Sequence, residues 1–155
     1  MPAWVSCWKP DSGSQMVALT ASDESLLAEI MGTIIPETDT PGAKSLQVHQ
    51  FALRMIHDCY DDEALASLKN GLVQADKLAQ KELNKSFVGS EAKEREQVLV
   101  RMSVSEDPET KKSYDLIKGL TVRGYLNSEY VMVNVLNYTM APGFYNGCVP
   151  VESVA

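Results

Sequence analysis

The sequence predicts an all-α protein, a single compact domain of five or six helices with an irregular apolar carboxy-terminal tail. Three observations lead there. Apolar residues recur at spacings of three and four in successive windows, the repeat of one helix face. Most of these windows open on a hydroxyl or acidic residue of the kind that caps a helix start. No stretch sustains the apolar–polar alternation of a half-buried strand.

Taken in order, Thr20 with Asp23 and Glu24 comes close to a capping box, and two acids in a first turn suit the helix dipole. Leu26, Leu27, Ile30, Met31 and Ile34 then share one face, and Pro36 stops the helix because the residue before proline avoids the α region. Glu37 to Gly42 reads as a loop, with Thr40 and Pro41 as N-cap and first residue of a second helix. That helix carries Leu46, Val48, Phe51, Ala52, Met55, Ile56 and Cys59. Asp61 or Asp62 caps a third, with Leu65, Leu68 and Leu72, continuing in a more exposed manner from Ala75 to Leu83. Phe87-Val88-Gly89 breaks the run, and Ser90 starts a fourth helix bearing Val98, Leu99 and Met102. Asp107-Pro108 is an N-cap and N1 pair opening a helix with Tyr114, Ile117, Leu120 and Thr121. This helix ends or bends around Gly124 to Asn127, and Ser128 caps a last one, Glu129 to about Asn137. The expected organisation is an arm over 1–19, extended or short-helical, a helical body over 20–138 and a tail over 139–155.

A chain of 155 residues buries about two-thirds of its unfolded surface and needs neither disulfide nor metal to fold. Hydrophobic residues at 45% and charged residues at 23% exclude general disorder. Twenty-one acids against 14 bases give a net charge of −7, which argues against nucleic acid and against an anionic membrane surface. No apolar run approaches the roughly 18 residues of a spanning helix. The first residues lack a basic region followed by an apolar one, so the expectation is a cytosolic protein or a chain that follows a removed leader. The dinucleotide fingerprint, the P-loop, the GxSxG elbow, HExxH and CxxC are all missing from the sequence.

Catalytic, cofactor and metal sites are therefore expected to be none on this chain. His49 and His57 lie eight apart, roughly 80° around an ideal helix, which does not suit a shared metal. Asp58, Asp61, Asp62 and Glu63 lack the glycine and closing glutamate of a calcium loop and read as an acidic helix junction. Cys59 follows the apolar period and is expected to be buried and inert. Thr38, Asp39, Thr40 and Pro41 are expected to form a structural corner, their side chains bonding to free backbone N–H groups. On that reading Asp39→Ala lowers stability by about 1 kcal/mol.

Residues 119–155 differ in kind. They carry only three charges, Arg123, Glu129 and Glu152, and hold five aromatics, Tyr125, Tyr130, Tyr138, Phe144 and Tyr145. Two prolines and two glycines from residue 139 onward keep the tail from being a regular helix. Such a tail either wraps its own helices or forms a partner interface, and the two are compatible. The five aromatics, with Trp4 and Trp8, are the interface candidates.

Two segments resemble the gluconate 2-dehydrogenase subunit 3 family. Ile34-Ile35-Pro36-Glu37-Thr38-Asp39-Thr40-Pro41-Gly42-Ala43 is similar to that family's IIP-x-TDTPGA signature and continues into Val48-His49-Gln50-Phe51. Gly124-Tyr125-Leu126-Asn127-Ser128-Glu129, with Pro142-Gly143-Phe144-Tyr145-Asn146-Gly147-Cys148-Val149-Pro150, resembles its closing pattern, although Leu126-Asn127 replace the usual aromatic and threonine. The resemblance implies an accessory subunit beside a large flavoprotein dehydrogenase of the glucose–methanol–choline type, acting on sugars, sugar acids or glycosides. FAD is then expected on that large subunit, and haem c on a third, cytochrome c subunit. Family members bring a twin-arginine export leader, which implies the periplasm, though no twin arginine stands in this sequence. In that compartment Cys148 is expected to be oxidised, paired with Cys59 or with a cysteine of the large subunit. A periplasmic ligand-binding module and a stand-alone helical enzyme are the alternative classes.

Overall fold

Helix starts in the computed structural model, which describes residues 19–141 together with Gly143 and Cys148, mostly sit on caps written in the sequence. Helix α1 spans Ala21–Ile34, with the Thr20 hydroxyl accepting from the Asp23 N–H while the Asp23 carboxylate accepts from the Thr20 N–H. It stops at Ile35, which is extended ahead of Pro36. Helix α3, Asp62–Leu83, is capped by Asp61, which accepts from the Ala64 N–H at 2.9 Å. Helix α5, Pro108–Leu126, is capped by Asp107, which accepts from the N–H groups of Glu109 and Thr110.

Two starts differ from the sequence expectation. Helix α2 spans Val48–Cys59 rather than beginning at Pro41. Gly42 is seated so tightly that an added Cβ would lie 2.7 Å from the Glu37 nitrogen and 2.9 Å from the Ile35 carbonyl oxygen. The chain is thereby folded back onto the end of α1, with the Ala43 N–H donating to the Ile35 carbonyl at 3.0 Å. One turn follows, closed from the Leu46 N–H to the Gly42 carbonyl, and Gln47 ends it in the left-handed region at φ 52°. The tertiary contact of Gly42 overrides the local signal of Thr40-Pro41. Helix α4 spans Ala92–Ser103, capped from Glu91 and Glu94 rather than from Ser90. Ser90 is buried, its hydroxyl donating to the Ser86 carbonyl at 2.9 Å.

After α5 the chain turns at Asn127 and Ser128 into a π-helix, Val131–Val135. The Leu136 N–H donates to the Val131 carbonyl five residues back, and Asn137 ends the segment at φ 49°. All described regular structure is helical.

Helix α5 packs against α1, α2, α3 and α4. The core gathers Leu27, Ile30 and Met31 of α1, Ile56 of α2, Leu68 and Leu72 of α3, Met102 of α4, and Ile117 and Leu120 of α5. Phe87, part of the segment that separates α3 from α4, is fully buried in the same cluster, and its N–H donates to the Asp76 carboxylate at 3.0 Å. Phe87→Ala should therefore destabilise by about 3–5 kcal/mol, as for any large buried aromatic, despite its place outside a helix. Urea unfolding followed by circular dichroism checks this; a loss below about 1 kcal/mol would show that the side chain is not a core element.

Candidate functional site

The carboxy-terminal end of α5 is fixed from one side by α2. A Cβ on Gly124 would fall 2.7 Å from both Val48 Cγ1 and Phe51 Cδ1, so the two helices meet there without an intervening side chain. Tyr125 packs against the core from a half-buried position. The Ser128 hydroxyl donates to the Tyr125 carbonyl at 2.7 Å, and Val131 is buried, rooting the π-helix.

Beyond that root the chain changes character. From Val133 to Ala141 every residue is exposed and none is charged. Val133, Val135, Leu136 and Tyr138 each keep more than half of their surface open, and Met140 keeps 87%. Val122 and Leu126, one turn apart on α5, are exposed as well. Single exposed aliphatics are ordinary; here Val133, Val135, Leu136 and Met140 stand close together in sequence with Asn134, Asn137 and Thr139 among them and no charge. The backbone of this run is tied down, because the Tyr138 N–H donates to the Met132 carbonyl at 2.8 Å.

The anticipated anchors are distributed unevenly. Tyr138 lies in the exposed run, and Tyr130 is half-buried at the start of the π-helix. Phe144, Tyr145, Trp4 and Trp8 lie outside the described residues. Val133, Val135, Leu136 and Met140 are exposed beside Tyr138, and the absence of charge is the sequence signal they share with it. Cys59 is a correction. It is exposed, because α2 ends at that residue and the chain leaves through an extended Tyr60. Cys148 is also a free, exposed thiol.

The TDTP corner lies elsewhere, beside an open cleft of about 290 Å³ lined in part by Glu29, Glu37, Gly42, Lys44 and Arg95. Glu29 is the centre of its charge, mostly buried, with Lys44 Nζ and an Arg95 guanidinium nitrogen each at 2.5 Å. Burial pushes the Glu29 carboxyl up, and the Lys44 hydrogen bond together with the Arg95 charge outweighs this, leaving it below the ordinary carboxylate value. Arg95 also donates from Nε to the Ser90 carbonyl and from Nη2 to the Val88 carbonyl. Through Glu29, Lys44 and Arg95 the segment after the corner is tied to α1 and α4. Within the corner, Glu37 accepts from the Gly42 N–H and the Ser45 hydroxyl, and the Thr38 hydroxyl accepts from the Thr40 N–H. Asp39 is exposed and makes none of these bonds, so the stabilising role expected for it belongs to Glu37. Glu37→Ala should lower stability by about 1–2 kcal/mol, whereas Asp39→Ala should stay within about 0.5 kcal/mol. Equal losses in thermal unfolding would overturn that assignment.

His57 Nδ1 lies 2.6 Å from Asp58. His49, in the first turn of α2, has a buried Nδ1 without a hydrogen-bond partner. Burial lowers its pKa from the ordinary 6.5, against a smaller opposing effect of Glu24. The folded protein thus favours neutral His49, and the unfolded chain takes up the proton first as pH falls. Stability should therefore decline as pH drops below 6.5, until His49 also protonates in the folded state. Unfolding midpoints across that interval should fall less steeply for His49→Gln than for the parent chain; parallel curves would refute the role.

Among the described residues no helix is long and apolar enough to cross a membrane, and no group of three or more His, Cys, Asp or Glu is placed to hold a metal ion. The family model described as gluconate 2-dehydrogenase subunit 3 matches residues 21–143, from the first turn of α1 through the exposed run after the π-helix. No curated protein and no solved structure matches the chain.

Proposed function

The chain belongs to the gluconate 2-dehydrogenase subunit 3 family, and we propose that it is the non-catalytic small subunit of a flavin-dependent sugar or glycoside dehydrogenase complex. Its task on this reading is to bind and stabilise a large catalytic subunit, and to assist its export. The observation that carries the proposal is the family match, which spans both the TDTP corner and the uncharged end. An FAD-binding subunit would need a phosphate-cradling glycine fingerprint, which this sequence lacks. FAD is therefore assigned to the large partner, of the glucose–methanol–choline type, and haem c to a third, cytochrome c subunit. The periplasm is the proposed compartment, reached by twin-arginine export. There Cys148 would be oxidised, with Cys59 or a cysteine of the large subunit as its partner. Tyr125, Tyr130, Tyr138, Phe144 and Tyr145, with Trp4 and Trp8 at the other terminus, are the proposed interface aromatics.

Purification of the tagged full chain from its native host tests this. A stoichiometric flavoprotein of several hundred residues should accompany it, with sugar-dependent reduction of the flavin, while the isolated chain should be colourless and inactive. A flavin spectrum in the isolated chain, or turnover without a partner, would overturn the assignment.

A further inference from the structure

Resting on the accessory-subunit reading, we propose that the large subunit docks on the exposed, uncharged ridge formed by the π-helix and the segment after it, Val133 to Ala141, through a face of its own that is uncharged and largely apolar. The ridge is held in shape before any partner arrives. Val131 is buried beneath it, and the N–H groups of Leu136 and Tyr138 are already bonded to the carbonyls of Val131 and Met132. A surface fixed in this way loses little conformational freedom on binding.

Charge decides the chemistry of the occupant. The protein as a whole is strongly acidic, yet only Arg123, Glu129 and Glu152 carry charge beyond residue 118. The Arg123 guanidinium donates to the Tyr60 hydroxyl at 3.3 Å. A basic partner face would find its complement on the rest of the molecule and would have to bury unpaired charge against the ridge. An uncharged face that is apolar opposite the valines, Leu136 and Met140 and offers hydrogen-bond partners to Asn134, Asn137, Tyr138 and Thr139 avoids that penalty. The exposed aliphatics of α4 do not offer an equivalent surface, because Val100 and Val104 share their groove with Glu96 and Arg101.

The test uses the full chain co-expressed with its flavoprotein subunit, comparing the parent with Leu136→Asp, Val133→Asp and, as control, Val104→Asp. Val104 is 72% exposed and lies off the ridge. Circular dichroism confirms that each variant remains helical. The ridge variants should bind the flavoprotein on the order of 10- to 100-fold more weakly, the range of interface hot spots, and the control should match the parent. The parent complex should persist between about 0.05 and 1 M salt, over which the screening length shrinks to about 3 Å. That measurement needs no variant and stands even if one fails to fold. A parent complex that dissociates in salt, or that Leu136→Asp leaves intact, would overturn the ridge alone. A ridge that instead pairs two copies of this chain, or takes up neutral lipid vesicles while the flavoprotein binds undisturbed, would overturn it as well. A parent chain that brings no flavoprotein would overturn the accessory-subunit reading itself.

Discussion

Close approach of α5 to its neighbours is the constraint on which the rest of the molecule depends. At Gly71 of α3 a Cβ would lie 3.0 Å from both Ile117 Cδ1 and Ser113 Cβ, and at Gly124 of α5 one would lie 2.7 Å from Val48 and Phe51. Two glycines, Gly71 of α3 facing the first half of α5 and Gly124 in the last turn of α5, let it settle against α3 and α2 at once. The hydroxyls trapped in the seam cause no deficit. Ser113 and Thr121 donate to the carbonyls of Glu109 and Ile117, and Ser67 bonds to Ser113. Because α5 is held on these sides, its last turn is a firm platform for the π-helix that follows.

The electrostatic organisation is of a different kind. Glu29 would be an expensive buried carboxylate alone, and it is tolerated because Arg95 and Lys44 both reach it. Arg95 in turn serves the carbonyls of Val88 and Ser90, so one side chain joins α1, the segment before α4 and α4 itself. The corner signature therefore reads as architecture. Its conspicuous threonines and aspartate are exposed, while the neighbouring Glu37 and Gly42 carry the bonds and the tight approach that set the chain's course.

What was legible in the sequence was local. The caps at Thr20, Asp61 and Asp107 bond to backbone within three residues, so the signal and the structure share one short segment. Thr40-Pro41 carried the same local signal and was overruled by the approach of Gly42 to the end of α1, which spacing cannot reveal. Cys59 followed the apolar period to its last position, yet period does not tell where a helix ends or whether anything covers the end. The uncharged end was visible as composition. Which of its aliphatics stand exposed is not legible there, because the π winding of Val131–Val135 departs from the 3.6-residue repeat and Leu136 to Ala141 follow no regular repeat.

The run from Val133 to Ala141 has one more property. Val-Asn-Val-Leu-Asn-Tyr-Thr-Met-Ala is rich in β-branched and aromatic residues, has no net charge and contains no proline. These are the compositional marks of a segment able to stack into cross-β assemblies, and no charged gatekeeper interrupts it. In the folded chain the π-turn and the bonds of the Leu136 and Tyr138 N–H groups hold it out of that arrangement. An unassembled copy of this protein thus carries an aggregation-prone strip on its surface. The only shield against edge-to-edge stacking of such a strip is then its own winding, since no charge or proline within it opposes the stacking.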